Sequence, residues 1–207
     1  GNICIPAEAG ELASGLIGEG RMAEPENIVR FLEKSIQASL PLYGKNVVVS
    51  AGPTYENIDP VRFIGNYSSG KMGFEIAKAA ANLGANVTLI SGPSHESIVG
   101  YPIERINIVS ARDMYDAMHA NFEKANVVVM SAAVADYRPK DMATQKIKKE
   151  NDDNMILELV KNPDILQSLG KIKTHQLLVG FALETNNEEE YAKKKLAKKN
   201  LDFIVLN

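Results

Sequence analysis

The 207-residue chain carries 23 Lys and Arg against 26 Asp and Glu, for a formal charge of −3, with 45% hydrophobic and 24% charged residues. That balance gives no general pull toward nucleic acid or an anionic membrane, and no apolar run approaches the roughly 20 residues needed to span a bilayer. The single cysteine, Cys4, excludes an internal disulfide and cannot by itself make a zinc site, so a reducing cytoplasm is the expected location.

Residues 1–24 read as loop, with Gly10, Gly15, Gly18 and Gly20 at short spacing and no start methionine, which suggests a piece of a longer polypeptide. Pro25 suits a first helical turn, and Ile28, Val29, Phe31, Leu32 and Ile36 form an apolar stripe after it. The segment Leu40 to Gly44 breaks that helix and reads as a linker. From Lys45 onward strands and helices alternate. Strands are expected at 46–50, 86–90, 105–109, 126–130, 155–159, 176–180 and 202–206, and helices at 70–83, 111–123, 163–170 and 187–199. The alternation predicts an α/β fold of the Rossmann-like, doubly wound class, a mostly parallel sheet with helices on both faces. The stretch from Ser131 to Asn154 is the exception, polar, lysine-rich and without period, as functional or mobile loops are.

The strand around Val47 to Val49 ends at Gly52-Pro53, and about a dozen irregular residues lead to Asn66-Tyr-Ser-Ser-Gly-Lys-Met-Gly73, where a helix begins. Met72, Ile76, Ala79, Ala80 and Leu83 recur along it at helical spacing. Ser68 or Ser69 can cap its first turn, and Gly70 and Gly73 let a bound group approach. A helix start of this kind suits a phosphate. Three nucleotide signatures nearly match. A P-loop pattern fails at Met72, which stands where Ser or Thr would hold Mg²⁺. A GxGxxG fingerprint is absent, and no acidic residue ends the second strand to take a ribose hydroxyl. Tyr67 and Lys71 have the Tyr-x-x-x-Lys spacing of short-chain reductases, but on a turn before the first helix.

Several residues keep two readings. Small residues follow Met130 at a strand's carboxyl end and leave room for a ligand, while Asp136 is equally a turn cap. Lys148 and Lys149 read as a solvated face, and a lysine of Lys146-Ile-Lys-Lys149 can instead close over a reacting phosphorus. Pro163 and Asp164 open a helix. Phe181 either stacks on a base or joins the core. Lys195 and Lys199 share a helix face, as solvated charges or as a clamp on a polyphosphate. His95, His119 and His175 are scattered, with no metal cage or nucleophile triad.

Seven blocks nevertheless stand together in order from about residue 44 to the end. They are Ser50-Ala-Gly-Pro-Thr-Tyr-Glu56, Asp59-Pro-Val-Arg-Phe-Ile64, Asn66 to Gly73, Ala132-Ala-Val-Ala-Asp-Tyr-Arg-Pro139, Lys146 to Lys149, Asn162-Pro-Asp-Ile-Leu166 and Gly180-Phe-Ala-Leu-Glu-Thr185. In this order they resemble the phosphopantothenate–cysteine ligase half of the bacterial bifunctional coenzyme A biosynthesis protein. The other half of that protein is an FMN-dependent phosphopantothenoylcysteine decarboxylase. The resemblance implies that residues 1–43 hold the tail of the decarboxylase half plus a helix and linker. Residues 44–207 would be the ligase domain, with its carboxyl end truncated.

The implied chemistry has two steps. The carboxylate of 4′-phosphopantothenate attacks the α-phosphorus of CTP, releasing pyrophosphate, and the amine of L-cysteine then displaces CMP from the acyl-cytidylate. By the same resemblance Asn66 binds the acyl group and Lys146 stabilises the phosphorus transition state. Met130, Ser131, Ala132, Ala133 and Asp136 line the cytidine site with Pro163, Asp164, Ile165, Leu166 and Phe181. Ser68, Ser69 and Gly70 join Lys195 and Lys199 around the phosphates, with Mg²⁺ bridging their oxygens. FMN belongs to the other half only. Because Ser14 stands where that half often has cysteine, no decarboxylation is expected. A homodimer is implied, with no nucleic acid or membrane partner. Two readings from other classes compete, a nicotinamide-dependent reductase and a non-catalytic nucleotide-binding module.

Overall fold

The computed structural model describes residues 2–11, 14–148, 154–182 and 188–206, the side chain of Glu188 excepted. Where the glycine spacing predicts loop, β1 (Glu8–Glu11) and β2 (Ile17–Arg21) instead pair antiparallel. Gly10 faces Gly18 across this ribbon, so backbone groups hold it and no side-chain alternation announces it. Pro25 opens α1 (Pro25–Ala38) as expected, but none of that helix's residues is buried.

The core begins with β3 (Asn46–Ala51). The irregular residues after it form a hairpin of β4 (Tyr55–Asn57) and β5 (Phe63–Gly65), with the Tyr55 and Phe63 rings stacked 3.9 Å apart. There follow α2 (Lys71–Asn82), β6 (Asn86–Ser91), β7 (Ile103–Asn107), α3 (Ala111–Phe122) and β8 (Val127–Met130). Next come β9 (Tyr137–Pro139), β10 (Leu159–Lys161), α4 (Ile165–Ile172), β11 (Leu177–Ala182), α5 (Glu188–Lys198) and β12 (Phe203–Leu206). Residue 187, expected to begin the last helix, and residues 183–185 of the Gly180 block lie outside the described residues, as does Lys149.

Six strands form one parallel sheet in the order β12-β11-β8-β3-β6-β7. The strand expected at 155–159 is not part of it. β10 starts at Leu159 and pairs antiparallel with β9, which itself lies inside the stretch expected to be loop, and the two make a separate ribbon. A three-residue pairing is too short to leave a period in the sequence.

The valine run is divided between both faces of the sheet. Val48 joins Met114, Met118, Phe122, Leu169 and Leu178 on the face covered by α3 and α4, where Leu196 of α5 also packs. Val47 and Val49 join Phe74, Ala77, Ala80 and Leu89 on the face covered by α2. An unbroken apolar run is what a strand buried on both faces requires. The buried side of α2 differs from its expected stripe. Met72, Ala79 and Leu83 are exposed, while Gly73, Phe74, Ala77, Ala80 and Ala81 face the sheet. The helix lies so close that a Cβ on Gly73 would sit 2.6 Å from Ala51 Cβ and 3.0 Å from the Ser50 carbonyl oxygen. Close approach selects small residues, which a search for large apolar ones passes over.

Candidate functional site

From β3 the chain winds outward through β6 and β7, then returns to β8 on the other side, so the order reverses between β3 and β8. Doubly wound sheets open their ligand crevice at such a point. Here the two strand exits are zipped together. Ser131 Oγ donates to the Ser50 carbonyl at 2.6 Å and Ala132 N–H to Ser50 Oγ at 3.2 Å. Ala133 N–H donates to the Gly52 carbonyl at 2.9 Å, and Ala135 N–H to Thr54 Oγ1 at 2.9 Å. Open space remains on either side of this seam.

On the β8–β11 side lies a crevice of about 450 Å³. Met130, Ala132 and Asp136 come from the end of β8 and the seam, Pro163, Asp164, Ile165 and Leu166 from the start of α4, Phe181 from β11, Lys195 from α5 and Lys199 from the turn just past it. Sequence positions from 130 to 199 thus meet at one place. Asn162 braces the two walls, its side-chain amide donating to the Ala135 carbonyl at 2.8 Å and its N–H to the Asp136 carbonyl at 2.8 Å. Tyr137 and Lys161 also line the crevice. Lys161, Asn162 and Tyr137 gave no signal of their own, because each reaches the crevice through the β9–β10 ribbon or the turn after it.

Asp164 is the N-cap of α4, two residues beyond the expected helix start. Its Oδ1 accepts from the Gln167 N–H at 2.9 Å, leaving Pro163 just outside the helix. Lys199 Nζ meets Asp164 Oδ2 at 2.8 Å, and Lys195 Nζ donates to the Phe181 carbonyl at 2.7 Å. Both ammonium groups are therefore held at the crevice. Burial acts to raise the pKa of Asp164, and the Lys199 ammonium and the Gln167 N–H outweigh it, holding the carboxyl below its ordinary value. The unfolded chain binds the proton more readily, so this contribution to stability is full above the ordinary carboxylate range. It is lost as pH falls through the lowered folded value. Asp164→Asn is expected to lower Tm at neutral pH and remove part of its decline below about pH 5 in thermal melts across pH.

The expected single cradle is divided. Ser68 and Ser69 line a second crevice of about 540 Å³ on the β6–β7 side, with Ser94, His95, Arg105 and Asn107. Gly70 itself occupies the N-cap of α2 at φ 82°, a left-handed conformation that favours glycine. Neither serine caps that helix. Ser68 Oγ accepts from Gly70 N–H and Ser69 Oγ from Lys71 N–H, at 3.2 and 3.3 Å. Ser131 and Ala133 are spent in the seam and do not line the first crevice. Asn66 sits over that seam, its Nδ2 donating to the Val134 carbonyl at 3.1 Å. Lys146 and Lys148 are exposed and line neither crevice. Tyr67, half of the reductase-like spacing, is fully solvent-exposed and lines neither as well. Among the described residues no cluster of His, Cys, Asp or Glu could hold a metal ion, and no helix is long and apolar enough to cross a membrane.

These features define a Rossmann-like α/β domain with a lysine-lined crevice beyond the carboxyl ends of its parallel strands. The family described as the DNA/pantothenate metabolism flavoprotein C-terminal domain matches residues 42–207, and the chain belongs to it. It is 51% identical to Coenzyme A biosynthesis bifunctional protein CoaBC of Vibrio parahaemolyticus over 100% of this chain and 51% of that protein. To the protein of the same name from Bacillus subtilis it is 50% identical, over 98% of this chain and 50% of the other. The chain thus spans about half the length of the curated relatives it matches. Among solved structures, the C-terminal domain of a Coenzyme A biosynthesis bifunctional protein CoaBC superposes with a TM-score of 0.73 at 47% identity, covering 82% of this chain and 80% of that one.

Proposed function

We propose that this domain acts in coenzyme A biosynthesis as a CTP-dependent ligase joining 4′-phosphopantothenate to L-cysteine. The observation that carries this reading is the crevice itself, where residues from the end of β8, the start of α4, β11 and the end of α5 line one space with Lys161, Lys195 and Lys199 on its walls. The cytosine and ribose would lie against Met130, Ala132, Phe181 and the α4 start. The triphosphate would meet Lys195 and Lys199, with Lys199 exchanging Asp164 for a phosphate oxygen. Asp136 and Asp164 are the carboxylates lining the crevice. With Asp164 engaged by Lys199, Mg²⁺ suits the phosphates of CTP better than an all-protein cage, and there it would neutralise charge on the leaving pyrophosphate.

The chain's own contribution is positioning and charge, because CTP carries the activation. Asn66, anchored through Val134 to the seam beside the crevice, would orient the acyl group and donate to its oxygen as cysteine attacks. Lys146 would place positive charge on the phosphorus in the first step. FMN chemistry belongs in this reading to the other half of the bifunctional relatives, and a homodimer goes with the same reading.

Pyrophosphate release with phosphopantothenate, cysteine and Mg²⁺, compared across CTP, ATP, GTP and UTP, tests it, with CTP expected to be preferred. Saturable CTP binding without release would leave a non-catalytic module, and binding of NADPH alone would favour a reductase. Asn66→Asp is expected to form the acyl-cytidylate but convert it slowly, so that the intermediate accumulates on rapid quench. A variant that turns over normally removes this role.

A further inference from the structure

The carboxylate of Asp59 is fully buried in the turn between β4 and β5. Part of its bonding is local. Oδ1 accepts from the Val61 and Arg62 N–H groups at 2.8 and 2.9 Å, and Oδ2 accepts from Arg62 Nε at 3.0 Å and from Arg62 Nη2. The rest reaches 88 residues along the chain, where Oδ2 accepts from the Ile147 N–H at 3.1 Å. Arg62 Nη2 in turn donates to the Ile147 carbonyl at 3.0 Å. The backbone of one residue is thus gripped at both its N–H and its carbonyl, and its neighbours are Lys146 and Lys148. A further bond from Ala143 N–H to the Ile58 carbonyl, 2.9 Å, ties the same segment to the same turn.

The turn is itself fixed to the core. Glu56 in β4 is buried and accepts the Ala111 N–H at the start of α3 at 2.8 Å, and Tyr55 N–H donates to the Val109 carbonyl at 2.8 Å. The other strand of the hairpin, β5, leads directly into Asn66. We infer that the Asp59–Arg62 pair is a latch that sets the position of Lys146 relative to Asn66, acting on the proposed first step through the Ile147 peptide. The pair touches no substrate in this account. It is a positioning pair, and it rests on the ligase reading only for its consequence in catalysis. A turn needing only local stability is satisfied by the Val61 and Arg62 N–H groups. The two bonds to Ile147 hold a lysine-bearing segment and nothing else.

Two variants separate latch from turn. Asp59→Asn turns one oxygen into a donor facing the Ile147 N–H and the guanidinium. Ile147→Pro removes the N–H from the outer segment, with φ fixed at 147 and the Lys146 backbone restricted, and leaves the Asp59–Arg62 pair in place. Trypsin cleavage after Lys148 in the folded chain reads the latch whatever the protein catalyses, since a proline at 147 would itself block cleavage after Lys146. Both variants should be cut about tenfold faster or more, as expected when a bond to a charged acceptor holding a segment closed is lost. The nucleotide-dependent pyrophosphate assay reads the consequence, with kcat lowered about tenfold or more and KM for CTP unchanged because Lys195 and Lys199 are untouched. Unchanged cleavage in Ile147→Pro, with an unchanged melting temperature, overturns the latch. Faster cleavage with unaltered kcat overturns its role in positioning. If the parent chain releases no pyrophosphate with any nucleotide, the ligase reading fails, and cleavage alone decides the latch.

Discussion

Replacing Lys146 with Gln is expected to lower nucleotide-dependent pyrophosphate release by about 10²–10³-fold in kcat, the usual size for removing one preorganised charge from a transition state. The side chain is exposed. An exposed substitution of similar length costs at most about 0.5 kcal/mol of stability, so folding should be unchanged. The effect should fall on kcat. In the proposed reading Lys195 and Lys199 bind the nucleotide independently of Lys146, and they are positioned at the crevice by the Phe181 carbonyl and by Asp164. Lys146 lines neither crevice, so a loss of kcat without a change in KM for CTP is the expected signature of its role. An isolated lysine of a solvated run would show no such loss. A Lys146→Gln chain with normal pyrophosphate release and an unchanged melting temperature would sink the assignment.

The second large effect is structural. A Cβ built on Gly170 in α4 lies 1.9 Å from the Lys199 carbonyl oxygen and 2.9 Å from its carbon, both backbone atoms at the end of α5. Gly170→Ala sets two terms against each other. Alanine in a helix gains about 0.5–1 kcal/mol over glycine. Overpacking against backbone that cannot rotate away costs roughly 1–3 kcal/mol, occasionally more, and here it wins. The displaced element carries Lys199, whose partner Asp164 caps the helix being pushed, and Asn200, whose side chain donates to the Gly170 carbonyl at 2.9 Å. The expected result is a melting temperature lowered by several degrees together with a raised KM for CTP. A variant as stable as its parent would show that α5 can move away freely, and that the Lys199 position is not set by this contact.

Much of the architecture was legible along the chain. The valine run at 47–49 could only be a strand covered on both faces. The helix expected at 111–123 forms as α3, opened by a capping box in which Ser110 accepts from the Asp113 N–H at 3.1 Å. The antiparallel pieces were not legible. The ribbons β1–β2, β4–β5 and β9–β10 each pair strands of three to five residues, too short to leave a readable alternation. The burial of α2 was misread in part because its sheet-facing side, apart from Phe74, is built from glycine and alanine. For the crevice, the blocks at 130–136, 163–166, 181 and 195–199 pointed to residues that do meet. They also suggested that the α2 start would share the same cradle, and it lines a different one.

The amino-acid sequence by itself determined the six segments that form the parallel sheet, though it added a seventh at 155–159 that does not join it, together with the helices that cover the sheet and the family to which the chain belongs. Those properties are written in neighbouring residues, through propensity, periodicity and block order. The tertiary structure alone decided that the seam between β3 and β8 is closed, that two crevices flank it, and that the peptide beside Lys146 hangs on a carboxylate 88 positions away. Such contacts depend on where the folded path brings distant backbone together, and a buried aspartate that accepts five hydrogen bonds looks, in the chain, like any other turn residue.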